Sequence, residues 1–187
     1  MIVLWIVLGV VAVLVLSFVV GYNRLVRLRN EVSTGWSNID VTLKRRADLI
    51  PNLVEAVKGY AAHERGVFDS VTEARASLMR AASPGAAAQA NEVLTSALGR
   101  LFAVAEAYPD LKASQNFLRL QDELTDTEDK IAAARRYYNA TVMRYNTKIQ
   151  SFPGVLYAGA LGFAPREFFS ADEGDHAVPQ VDLSPQE

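Results

Sequence analysis

Two histidines, twenty-one carboxylates and no cysteine bound the chemistry open to this 187-residue chain. Without a thiol there is no disulfide framework, no cysteine-ligated zinc and no thiol nucleophile. His63-Glu64 opens like a zinc-protease helix, but Val67 stands where the second histidine belongs, four residues on. A di-iron bundle needs two Glu-x-x-His units among inward carboxylates, and the sequence offers one such spacing, Glu173 to His176, close to its end. Gly154 and Gly159 have phosphate-loop spacing, yet Ala160 occupies the lysine position. There is no G-x-S-x-G elbow and no dinucleotide fingerprint. Asn139-Ala140-Thr141 matches a glycosylation acceptor but falls within a helical pattern. The charged run Asp122, Glu123, Asp126, Glu128, Asp129, Lys130, Arg135 and Arg136 reads as a solvated helix face with local ion pairs. These residues define no catalytic, cofactor or metal site.

The elements around them are clearer. Nineteen of the first 22 residues are apolar and none of the first 23 is charged. Twenty helical residues rise about 30 Å, enough to cross the hydrocarbon core of a bilayer. A cleaved signal would begin with positive charge and end at small residues; here the run begins at Ile2 and passes straight into Tyr22, Arg24, Arg27 and Arg29. An uncleaved anchor is expected. Arg24, Arg27, Arg29, Lys44, Arg45 and Arg46 face only Glu31 and Asp40 in sequence, and positive charge beside a membrane helix favours the cytoplasmic side. This predicts a single-pass membrane protein, N-terminus outside and body in the cytoplasm. Arg24, Arg27 and Arg29 are candidates to face lipid, either as a solvated juxtamembrane face or in contact with anionic headgroups. Residues 47–164 carry 12 basic and 13 acidic side chains, no footprint for nucleic acid.

Beyond the anchor, apolar residues recur at three-and-four spacing through Leu25, Val32, Trp36, Ile39, Leu43, Ile50, Val54 and Val57, and again through Phe117, Leu124, Ile131, Tyr138, Val142, Tyr145 and Ile149. Ser83-Pro84-Gly85 and Tyr108-Pro109-Asp110 mark turns around a shorter helix. Whether residues 24–82 form one helix or two is decided by length. A turn near His63 lets four antiparallel helices close, whereas one helix of 59 residues, roughly 88 Å, leaves the last helix overshooting the bundle. The expected fold is all-α, an elongated antiparallel bundle of four helices on a single N-terminal transmembrane helix. Residues 1–23 form the anchor, 24–151 the bundle, and 152–187 an apolar segment with an acidic tail. Pro51 is expected to kink, not end, the first helix.

Two long and two short helices leave Trp36, Ile39, Tyr138, Val142 and Tyr145 in a two-helix stem near the membrane. Two helices cannot cover that apolar surface, so a second copy or a partner helix is expected there. Residues 152–164 carry no charge and repeat small residues at Gly154, Ala158 and Gly162. They are too short to span. They suit an interfacial segment, a small-residue face docked on a helix, or a loop at the base of the bundle. The stretch from Pro165 to Glu187, with six carboxylates against Arg166, reads as a disordered solubilising tail.

Taken in order, many blocks resemble the LemA family of bacterial membrane proteins. They include Tyr22-Asn23, Val41 to Val54 (VTLKRRADLIPNLV), His63-Glu64, Ala74-Arg75, Leu101 to Ser114 (LFAVAEAYPDLKAS), Thr127-Glu128, Tyr138-Asn139, Tyr145-Asn146 and Phe152-Pro153. The resemblance implies an N-terminal membrane helix and an elongated helical bundle, and supplies no catalytic residue. Lys44, Arg45, Arg46, Asp48 and Asn52 lie in a matched block and form the candidate partner surface. The leading expectation is a non-enzymatic, membrane-anchored scaffold or adaptor with no cofactor. Its partners would be membrane lipid and a second copy or another membrane or cytoplasmic protein, with no nucleic acid. The alternatives are a ligand-binding or enzymatic bundle with a cleft at the Pro51 kink, and a lipid-engaging protein that remodels membranes.

Overall fold

In the computed structural model, which describes residues 1–170, the apolar run does not end as a separate helix. Helix α1 runs unbroken from Ile2 to Lys58, 57 residues or about 86 Å. Anchor and body therefore share one rod. Residues 1–20 are exposed on every side, as a helix with lipid for solvent requires, and among the described residues this is the one helix long and apolar enough to cross a membrane. From Leu25 onwards a single stripe is buried, including Val32, Ile39, Leu43, Ile50, Leu53 and Val57.

The chain turns through residues 59–64, so the stretch 24–82 holds two helices, the arrangement the length argument favours. It continues as α2 (Arg65–Arg80), α3 (Pro84–Glu106), a single turn α4 (Pro109–Lys112) and α5 (Gln115–Gln150), followed by a 3-10 turn at Gly154–Leu156. Both expected turns are present. The Ser83 hydroxyl accepts the Ala86 amide and Pro84 takes the first helical position, where its missing N–H costs nothing. Pro109 opens α4 in the same way behind Tyr108.

Contacts fix the directions. Glu31 faces Arg144, Trp36 faces Tyr138, and Arg46 faces Glu128, so numbers fall along α5 as they rise along α1 and the two run antiparallel. Helix α2 packs on α3 and α1, and the rings of Phe102 and Phe117, 6.1 Å apart and edge-on, close α3 on α5. Each buried Leu or Ile contributes about 1.5–3 kcal/mol. Among the described residues the buried interior is apolar except for Arg46, Asn91, Thr127 and Thr141. The two threonines bond locally, to the carbonyls of Leu124 and Tyr137.

Pro51 lies inside α1. It cannot donate to the Ala47 carbonyl, and Ala47 is fully buried, so that oxygen would be stranded away from water. Arg75 of α2 supplies the missing donor: its Nε reaches the Ala47 oxygen at 2.7 Å. A gap in one helix thus becomes a bond to its neighbour. Arg75→Met should lose about 1–3 kcal/mol, because a buried carbonyl is left unpaired. In a Pro51→Ala background, where the backbone amide is restored, the same change should cost far less. Denaturation of the four proteins measures the coupling; equal losses in both backgrounds would show that Arg75 acts elsewhere.

Candidate functional site

The expected self-association stem is corrected by the structure. Ile39, Tyr138, Val142 and Tyr145 are at most 2% exposed within one chain. Counting helices alone missed their cover, which is the chain's own C-terminal segment doubling back along α5. Trp36 packs between the rings of Tyr138 at 6.1 Å and Phe169 at 6.4 Å. Residues 165–170, expected to begin a disordered tail, are part of this strap; residues 171–187, with Glu173 and His176, lie outside the described residues.

Two asparagines hold the strap. Asn146 donates to the Arg166 carbonyl at 2.9 Å and accepts the Arg166 amide at 2.8 Å. Asn139 does the same with Phe169, at 3.1 and 2.9 Å. Seven helical residues rise about 10.5 Å and three nearly extended ones about 10 Å, so the two spacings match. Between them the Tyr138 hydroxyl donates to the Glu167 carbonyl at 2.8 Å. Burial, then the Glu167 carboxylate, push the Tyr138 phenol up to about 12, against a smaller opposing pull from Arg166.

The candidate partner surface divides. Lys44, Arg45, Asp48 and Asn52 are exposed, with Lys44 paired locally to Asp40 at 2.6 Å. Val41, 63% exposed, and Pro51 lie along the same strip. Arg46 is the exception and is corrected from surface to core: it is 4% exposed. Its Nη1 donates to Asn91 Oδ1 of α3 at 2.6 Å and pairs with Glu128 Oε2 of α5 at 2.5 Å. Burial lowers the Arg46 guanidinium from its usual value, opposed by the Glu128 charge. Its Nε has no hydrogen-bond partner among the described residues. The node sets a buried cation against a half-exposed carboxylate and ties three helices together, so what it can do is fix helix positions. Among the described residues no three His, Asp or Glu side chains gather to hold a metal, and His63 is exposed in the α1–α2 turn.

At the membrane end Arg24 and Arg27 are exposed, while Arg29 turns back over the Phe163 ring at 5.2 Å. The uncharged segment docks there on both long helices. Tyr157 packs edge-on against Phe18 at 5.0 Å, and its hydroxyl occupies the place a Cβ would need at Gly21. Gly162, at φ +75°, turns the chain so that Phe163 meets Tyr22 at 5.8 Å. Of the small residues noted in the sequence, Gly154 and Ala158 are the buried ones.

Fold and surfaces together define a membrane protein with an all-helical body on a single N-terminal apolar helix. The chain belongs to the LemA family, which it matches over residues 35–183. Among its relatives, "Magnetosome protein MamQ 2" of Paramagnetospirillum magneticum is 29% identical over 189 residues, covering 87% of this chain and 69% of its own. "Magnetosome protein MamQ" of Magnetospirillum gryphiswaldense is 28% identical, covering 86% and 70%. "Protein LemA" of Metamycoplasma hominis is 29% identical over 166 residues, covering 88% and 74%.

Asn139→Ala with Asn146→Ala should free the strap, costing roughly 1–3 kcal/mol per stranded pair and abolishing slow hydrogen exchange at the Arg166 and Phe169 amides. Protection unchanged from wild type would refute the tether. For Tyr138 the folded value lies above the unfolded one near 10. The protonated phenol is thus favoured in the fold, and its stabilisation is complete below pH 10 and lost as pH rises through about 12. Urea midpoints at pH 9 and 11 should fall more steeply for wild type than for Tyr138→Phe; parallel declines would remove Tyr138 from the account.

Proposed function

We propose that this protein is a non-enzymatic scaffold or adaptor of the LemA family, held in the bacterial cytoplasmic membrane with its N-terminus outside and its body in the cytoplasm. The observation that carries the reading is the strip Val41, Lys44, Arg45, Asp48, Pro51 and Asn52, exposed on α1 directly outside the point where α1 is tied to its neighbours. Such a strip is rigid before any partner arrives, so docking loses little conformational freedom. Its mixture of apolar and charged groups suits a protein surface in the membrane's vicinity. In this reading α1, α2, α3 and α5 work as four antiparallel helices that hold the strip at a fixed height above the bilayer. The surplus of positive charge at the start of the body supports the orientation.

The absence of native cysteine makes the test direct. Glu92→Cys should resist a membrane-impermeant maleimide in intact cells and react after lysis. In the same cells, a photo-crosslinking residue at Asp48 should give a discrete adduct that Arg45→Glu removes, while one at exposed Val93 on α3 should not. Labelling of intact cells would reverse the orientation; crosslinks of equal yield at both positions would defeat the adaptor strip.

A further inference from the structure

A broad concavity lies at the foot of the body, not in its core. A groove of about 890 Å³ runs between α1 and α5 from Val20, the end of the uncharged run, to Glu31. That span rises roughly 16 Å, so it covers a headgroup layer of about 5–8 Å and its aqueous margin. Four cations line it, Arg24 and Arg27 from α1 and Arg144 and Lys148 from α5. The one carboxylate, Glu31, is 3.8 Å from Arg144. Among the described residues the groove therefore holds three positive charges more than negative ones. Val20, Leu28 and Met143 give it apolar walls that continue into the anchor.

A second feature fixes the depth. Ser151 closes the groove and Phe152 follows it, in a segment whose Phe152, Val155 and Leu156 are 78%, 56% and 73% exposed. Tyr157 pins that segment to the anchor at Phe18 and Gly21. These three apolar side chains thus stand beside the last membrane turns of α1, at a level where water is scarce. With those side chains in the interface, the foot of the body would sit there too, and its cationic groove would open at the level of the lipid phosphates.

We propose that the groove is a binding site for one anionic phospholipid, its phosphate among Arg24, Arg27, Arg144 and Lys148 and its acyl chains along the anchor beside Val20. The site needs both helices, because neither supplies more than two of the four charges. It differs from a diffuse basic neck in that Arg29, Lys44 and Arg45 take no part, and two of its cations come from the far end of the chain.

The test is native mass spectrometry of the full chain released from detergent with equal phosphatidylglycerol and phosphatidylcholine. Wild type should retain one phosphatidylglycerol in preference. Arg144→Gln with Lys148→Gln should cut that preference roughly 10- to 30-fold, at about a kcal/mol per cation near the surface. Arg135→Gln with Arg136→Gln removes equal charge about 16 Å further up α5, beyond the screening length, and should leave it unchanged. Because Arg144 also contacts Thr141, Arg27→Gln with Lys148→Gln serves as a second pair, and circular dichroism should report a full helical signal for all three. Equal loss in the groove and control variants, no preference in wild type, or displacement of the lipid by an equal concentration of glycerol phosphate would each overturn the site.

Discussion

The buried carbonyl of Ala47 is the constraint around which the body is arranged. A helix normally satisfies that oxygen from within, but residue 51 is proline, so the donor has to come from α2. One residue earlier, Arg46 reaches α3 and α5 together. Two consecutive residues of α1 thus hold the three other long elements. Apolar stripes make helices adhere but specify height along the axis weakly, since a slide of one turn brings similar side chains into contact. Short directional bonds at 2.6–2.7 Å have no such alternative. Burying a guanidinium has a desolvation cost that the pair with Glu128 offsets only partly, and what it contributes in return is register.

Much of this was legible in the sequence, and what was missed failed for reasons that can be named. Proline and serine marked the turns at residues 83–85 and 108–110 because their backbone preferences are local. The break near His63 followed from helix lengths. Arg46 was misread because it sits in the charged triplet Lys44-Arg45-Arg46, where composition argues surface. Its phase argued otherwise: it lies three residues after Leu43 and four before Ile50, on the buried stripe. No local rule says which residue will supply a donor to Ala47, since Arg75 is 28 residues away.

The strap was missed for a different reason. An irregular segment brings unpaired amides and carbonyls wherever it packs, and these need partners. A side-chain amide carries both a donor and an acceptor in the geometry of a peptide group, so asparagine can pair with the backbone as a neighbouring strand would. The signal is the dipeptide Tyr-Asn at 138–139 and again at 145–146: the tyrosines fill the stem and the asparagines next to them catch the returning chain. Read as a helix alone, the repeat looked like core plus surface. Read with an extended partner of matching rise, it specifies a binding track.

The continuity of α1 has a mechanical consequence. Because no loop separates the membrane turns from the body, the tilt of the anchor in the bilayer is the tilt of everything above it. From Tyr22 to Lys58 the rod is about 54 Å long, so a change of about ten degrees in tilt carries its far end sideways by about 9 Å. Helices adjust tilt to match hydrocarbon thickness. In a thicker or thinner membrane the body would therefore sweep a different position over the surface, with α1 as a lever whose fulcrum is the headgroup layer.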